Sequence, residues 1–353
     1  GGLSVHHQHG ADLVLQIGTA YFGCRDAQGR FSLPALVDLV AANPVRAIEI
    51  KLSQGAKPGV GGMLPGAKVT PEIAAARGVP VGRDCESPPV HAEFGDVAGL
   101  IAFIERIADA TGLPVGIKSA VGDLDFWQEL ARRMDRERAG PDFITIDGGE
   151  GGTGAGPLVF TDHVALPQRI ALARVYRLFA ASGAADRTVF VGSGLLGLPA
   201  NALLAFGMGC DMVSVGREAM LAIGCIQAQR CHTGRCPTGI TTHSPWLQRG
   251  LDPDGASVRL ANYVMGLRAE LLRLARTCGV PHPALVSLEH LELMEGARSV
   301  PAAERFGYES GWGLPGAADR DALPGIMSAL AESRPDARER DISAGSSQAS
   351  ALP

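Results

Sequence analysis

The sequence predicts an α/β protein of the (β/α)8, or TIM-barrel, class, with about six of the eight βα units visible in its 353 residues. Three observations lead there. Short apolar runs recur along the chain, each followed by glycine or a polar residue and then by a segment of helical periodicity, which is the alternation of a parallel sheet. The residues able to do chemistry fall at the C-terminal ends of those runs, where a closed barrel keeps its site; six units alone would equally suit a doubly wound sheet. The 46 glycines gather at the ends of the apolar runs and form no linker, which reads as tight turns in a folded enzyme.

In chain order the expected strands are Leu13 to Gly18, Ala47 to Lys51, Pro114 to Lys118, Phe143 to Gly148, Thr188 to Gly194 and Met212 to Gly216. Apolar residues at helical spacing mark helices over Val97 to Ala110, Asp125 to Arg138 and Pro199 to Met208. A longer helix, Val258 to Cys278, carries Leu260, Val264, Leu267, Leu271 and Leu274 along one stripe and is expected to pack on the barrel. Closure needs two more strands. Because the chain opens with GGLSVHHQHG, without methionine and already loop-like, those strands are expected to precede Gly1. The domain reading is a barrel domain over 1–296 containing a cysteine loop at 223–240, an extension over 297–331, and a polar, aperiodic, disordered tail over 332–353.

Composition narrows the function. A formal net charge of -5 without long Lys/Arg runs argues against nucleic acid as the main partner. There is no run of about 18 apolar residues and no signal-peptide layout, so a membrane partner is not expected and a cytoplasmic location is. Seven cysteines without a regular framework suit a reducing compartment, with Cys24, Cys85, Cys210 and Cys278 as buried free thiols.

The remaining three cysteines, Cys225, Cys231 and Cys236, crowd into IGCIQAQRCHTGRCPTGI. Three thiolates on one loop can hold a [3Fe-4S] cluster, one per iron. The competing chemistry is a structural zinc held by the same three and His232, although the usual Cys-x2-4-Cys spacing is absent. Elsewhere, IEIKLSQGAKPGVGG places Lys51, Gln54 and Lys57 at three-residue intervals where a strand passes into a glycine-rich loop, so that they can face one anion. Arg77 could add a planar fork for a carboxylate, giving a dicarboxylate pocket, while Lys68 and Arg83 read as solvated surface charges. The run FITIDGGEGGTGAGP, with Gly151, Gly152 and Thr153, lets backbone approach a flat or phosphorylated ligand. Two later strand ends, Gly192-Ser193-Gly194 and Gly216-Arg217, suit the phosphate of flavin mononucleotide, FMN. Lys118 would then stabilise negative charge on the reduced ring.

Jointly, IKLSQGAKPGVGGMLPG, DGGEGGTGAGP and the IGC-x5-CH-x3-CPTGI loop resemble the FMN-binding glutamate synthase family, over about Leu13 to Glu295. The resemblance implies a barrel that binds FMN and a [3Fe-4S] cluster and reduces 2-iminoglutarate, made from 2-oxoglutarate and ammonia, to L-glutamate. By resemblance Lys51, Gln54, Lys57 and Arg77 hold the 2-oxoglutarate-derived substrate, Gln16 and Thr19 meet the flavin edge, and Lys51 and Lys118 approach the cofactor. Gly192, Ser193, Gly194, Gly216 and Arg217 would cradle the phosphate, and Cys225, Cys231 and Cys236 would ligate the cluster. Electrons would come from a ferredoxin or an NAD(P)H-dependent subunit, and nitrogen as free ammonia or from a glutaminase subunit. The family's Ser-Gly-His-Asp-Gly-Gly is here Asp147-Gly148-Gly149-Glu150-Gly151-Gly152. That difference leaves open an N-methylglutamate synthase-like subunit using another amine; another FMN barrel oxidoreductase is a separate alternative, as is a non-catalytic electron-transfer or scaffold subunit, favoured if the two further strands are absent.

Overall fold

Along the chain of the computed structural model run β1 (Leu13–Ile17), α1 (Leu33–Ala41), β2 (Val45–Lys51), β3 (Met63–Leu64), α2 (Pro71–Arg77), β4 (Cys85–Glu86), α3 (Val97–Thr111), β5 (Val115–Ser119), α4 (Asp125–Glu137), β6 (Phe143–Asp147), α5 (Gln168–Ser182), β7 (Val189–Ser193), α6 (Pro199–Gly207), β8 (Met212–Ser214) and α7 (Arg217–Ala222). There follow α8 (Pro245–Gln248), α9 (Pro253–Thr277), the antiparallel pair β9 (Glu292–Glu295) and β10 (Arg298–Pro301), α10 (Ala302–Phe306) and α11 (Ala317–Glu332). The structure describes residues 2–4, 7, 9–151, 156, 157 and 159–332. Gly152, Thr153 and the tail beyond Glu332 lie outside the described residues. Residues 1–314 form one unit and 315–353 another, the described part of the second being α11 and its approach.

Six strands pair in parallel in the order β1-β2-β5-β6-β7-β8, and β3 and β4 form a small antiparallel pair beside the chain's glycine-rich loop. This is the α/β barrel class, with six of its eight βα units in this chain. Pleating sends alternate residues to opposite faces of such a sheet. On β2, Ile48 and Ile50 are wholly buried in the cluster that also contains Leu100, Ile104 and Ile107 of α3, each worth about 1.5–3 kcal/mol. Glu49 and Lys51 therefore point the other way. Ile117 on β5 and Ile144 and Ile146 on β6 repeat this pattern, leaving Lys118, Thr145 and Asp147 on the face with Glu49.

Local chemistry sets the boundaries. Asp96 caps α3 by accepting from the Gly99 amide, and Gly112 ends it at φ 66°, a left-handed turn that favours glycine. Gly116 has no side chain because the Phe143 ring stands 2.4 Å from where a Cβ would sit. The stripe of α9 packs along only part of its length: Leu271 and Ala275 bury against Ala202 and Leu203 of α6, with Leu267 and Leu274 beside them. Val264 faces solvent at 43% exposure.

Candidate functional site

Asp147, the last residue of β6, is the hub of the strand ends. Its Oδ1 accepts from Ser193 Oγ at 2.6 Å and lies 3.6 Å from Lys118 Nζ, while its Oδ2 accepts from the Gly55 amide at 2.8 Å. One buried carboxylate thus ties β5, β6, β7 and the loop after β2 together, and charge-assisted bonds of this kind are the stronger sort. Sequence reading quoted Asp147 within its glycine run and gave it no role. The available signal was an acidic residue ending an otherwise apolar strand.

The loop after β2 carries the basic group. Lys51 Nζ donates to Gln54 Oε1 at 2.9 Å, so this predicted pair does meet. Burial, and then the nearby positive charges of Lys118 and Lys57, hold the Lys51 ammonium below the ordinary lysine range, against the opposing pull of Asp147 and Glu49. Three lysines therefore share one neighbourhood with the carboxylates of Asp147 and Glu49. Such a group suits a small anion. Lys57 itself reaches the Gly61 carbonyl at 3.4 Å.

One cavity of about 1000 Å³ adjoins this group and is large enough for a cofactor-sized ligand. Of the residues predicted from sequence, Gln54, Lys118, Gly151, Ser193, Gly194, Gly216 and Arg217 line it, and so do all three clustered cysteines. Its walls also include Glu150, whose carboxylate accepts from the Gln168 amide at 2.8 Å and so caps α5, which lacks a capping side chain at Pro167. Arg217 donates to the Glu150 carbonyl at 3.1 Å, tying the loop after β6 to the start of α7.

Lys51 and Lys57 adjoin the cavity without lining it, and four predicted residues stand elsewhere. Arg77 sits with its guanidinium 5.0 Å from the centre of the Phe22 ring, which Arg25 also covers at 4.8 Å, and it does not line the cavity. Gln16 donates to the buried Glu49, which also accepts from Thr145 Oγ1 at 2.7 Å. Thr19 donates to the Pro88 carbonyl at 2.6 Å. Gly192 is turned toward Leu196 and Cys210, 2.7 and 3.0 Å from a would-be Cβ, on the helix-covered side of β7.

On the wall of the same cavity, Cys236 is buried and its thiol pKa is lowered to about 6: burial raises it, but the side chains and amides of Thr238 and Thr241 lower it further. Thr241 Oγ1 is buried and stands near enough to favour the thiolate. Cys225 Sγ accepts from the Gln227 amide at 3.4 Å. Gln227 and Gln229, at φ 53° and 54°, hold the loop in the left-handed region that non-glycine residues rarely adopt. Among the described residues no group of three or more His, Cys, Asp or Glu side chains converges as the ligands of one metal ion do. An iron-sulfur cluster takes one thiolate per iron, and all three thiols line the one cavity. Lys68, read from sequence as a solvated charge, instead donates to the Cys231 carbonyl at 2.6 Å.

Residues 1–281 match the family model described as the conserved region in glutamate synthase. The chain belongs to the glutamate synthase family. It is 39% identical over 292 residues to a glutamate synthase large subunit-like protein, YerD, of Bacillus subtilis, covering 82% of this chain and 55% of that one. It is 38% identical to an archaeal glutamate synthase [NADPH] of Methanocaldococcus jannaschii, over 66% of this chain and 46% of the relative, and 33% identical to a ferredoxin-dependent glutamate synthase of Pyropia yezoensis, over 66% and 15%. The chain spans about half the length of the first two. A flavocytochrome b2 variant with sulfite bound superposes with a TM-score of 0.44 at 15% identity, over 84% of this chain and 60% of that one. Among the described residues no helix is long and apolar enough to cross a membrane.

Proposed function

We propose that the chain is the flavin-binding and iron-sulfur part of a glutamate synthase-type oxidoreductase that reduces 2-iminoglutarate, formed from 2-oxoglutarate and ammonia, to L-glutamate. The observation that carries this reading is one cavity lined both by Lys118, Ser193, Gly194, Gly216 and Arg217 and by Cys225, Cys231 and Cys236. FMN, when bound, supplies hydride, and a [3Fe-4S] cluster supplies electrons one at a time. Arg217 and the glycine-lined strand ends would hold the phosphate. Lys118, kept in place by Asp147, would stabilise negative charge on the ring edge. Lys51 and Lys57 neutralise the substrate carboxylates, and Gln54, held by Lys51, orients them. Arg77 is left out of this pocket because Phe22 engages it.

The electron donor would be a ferredoxin or an NAD(P)H-dependent subunit, and ammonia would arrive from solution or a glutaminase subunit. The barrel domain would end near residue 296. Visible spectroscopy of the purified protein, with iron, sulfide and FMN assays, tests the reading. Flavin bands over a broad iron-sulfur absorbance are expected. A colourless protein with stoichiometric zinc would sink it.

A further inference from the structure

A buried histidine that sequence reading passed over stands directly behind Lys51. His91 is 6% exposed, stacked on Phe94 at 5.1 Å and tilted against Tyr21 at 5.4 Å. Its Nε2 lies 2.9 Å from the Lys51 carbonyl, and its Nδ1 lies 3.2 Å from Tyr21 Oη. A carbonyl can only accept, so Nε2 carries the hydrogen. Tyr21 Oη in turn accepts from the amides of Ala92, at 3.0 Å, and Glu93, at 3.3 Å. Two amides occupy its lone pairs, so its own hydrogen points at Nδ1. Every bond in this relay is satisfied by one species, the neutral Nε2–H tautomer.

The relay ends at the place where the sheet lets go of the chain. Lys51 is the last residue of β2, paired with Lys118, and the amide of Leu52 still reaches the Lys118 carbonyl at 2.8 Å. Beyond it the chain turns so that Lys51 Nζ meets Gln54. The carbonyl that His91 holds therefore fixes the peptide from which the Lys51 side chain and the 52–57 loop depart.

We propose that His91 is a positioning residue: through Tyr21 and its own neutral imidazole it sets the aim of Lys51, and so the affinity of the anion pocket for a dicarboxylate such as 2-oxoglutarate. The inference rests on the proposed function for the identity of that ligand. Protonating Nδ1 would remove the acceptor for Tyr21 and place a cation behind the Lys51 ammonium. The groups facing the ring are Tyr21, with the Cys24 thiol behind it, the Lys51 carbonyl, and Glu93, which Arg106 neutralises at 2.6 Å. Burial keeps His91 below the ordinary histidine range, in keeping with a neutral ring.

Two substitutions separate aiming from filling space. His91→Gln can donate to the Lys51 carbonyl from its own Nε2, and His91→Phe preserves ring packing without a donor. The expected result by calorimetry is a Kd for 2-oxoglutarate raised about tenfold in H91F, the order of one lost hydrogen bond, and restored to within about threefold in H91Q. FMN content should be equal in all three. Wild-type affinity should weaken only as pH falls below the ordinary histidine range, through the depressed value of the folded ring, and that acid limb should be missing in H91Q. A packing role predicts the reverse order, with H91F like wild type and H91Q worse, and that result overturns the proposal, as does an unchanged acid limb in H91Q. If the wild type itself does not bind 2-oxoglutarate, the functional reading falls and the positioning role is decided by hydrogen exchange at the Leu52 amide. Faster exchange in H91F than in wild type and H91Q upholds it, and equal exchange in all three refutes it.

Discussion

Replacing Gly55 by alanine adds one carbon at the tightest backbone contact of the site. A Cβ there would lie 1.9 Å from the Gly148 carbonyl oxygen, 2.5 Å from its carbon and 2.7 Å from the Asp147 oxygen, and none of these atoms is the free end of a side chain. The loop after β2 must then move off the turn after β6, breaking the bond from the Gly55 amide to Asp147 Oδ2. Overpacking costs about 1–3 kcal/mol and loss of a hydrogen bond to a charged group about 1.5–3. Alanine's smaller unfolded-state entropy offsets about 0.4–1 kcal/mol of this. The expected net loss is therefore about 2–5 kcal/mol, measured as a lower urea midpoint with unchanged m, together with a lower affinity for 2-oxoglutarate because Lys51, Gln54 and Lys57 ride on the displaced loop. G55A within about 0.5 kcal/mol of wild type, with unaltered binding, would refute the claim that this backbone approach holds the site.

Lys68→Met keeps the length of the side chain and removes its donor to the Cys231 carbonyl. Cys231 should then alkylate several-fold faster, read by mass spectrometry; equal labelling in both proteins would show that the contact does not restrain the loop. Stability should also depend on pH in a defined direction. Burial depresses His91 and His282 in the folded chain, so below about 6.5 the unfolded chain takes up protons first. The stabilisation from keeping both rings neutral is complete above that pH and declines as pH falls toward the folded values. Urea unfolding at pH 7.5 and 5.5 should show the loss, reduced in H91Q, and a stability that rose on acidification would contradict the assignment.

The frame of the molecule was legible because strand signals are local. The run expected over Phe143 to Gly148 is β6, Phe143–Asp147, and that expected from Ala47 is β2, which starts two residues earlier at Val45. Strand ends also converge on the cavity: Lys118, Ser193, Gly194, Gly216 and Arg217 line it because a parallel sheet brings all its C-terminal ends to one side. What was illegible depends on partners distant in sequence. Twenty residues from Lys57 to Arg77 contain no information about Phe22, whose ring takes the guanidinium. Lys68 looks like any exposed lysine until its acceptor, 163 residues away, is placed beside it. Gly192 shared a motif with Ser193 and Gly194, but strict alternation along β7 turns it to the opposite face. His91 had no local signature at all, since its meaning lies in Tyr21 and the Lys51 carbonyl, 70 and 40 residues upstream.

The bond between Lys68 and Cys231 also has a meaning in time. A ribosome adds about 5–20 residues per second, so roughly ten to thirty seconds separate the emergence of the two partners. During that interval the lysine-bearing loops exist as nascent chain while the cysteine loop has yet to be made. The wall of the cavity is thus completed only when residues 225–241 have been made. A ligand that needs both the lysine-bearing and the cysteine-bearing walls can be captured only after that.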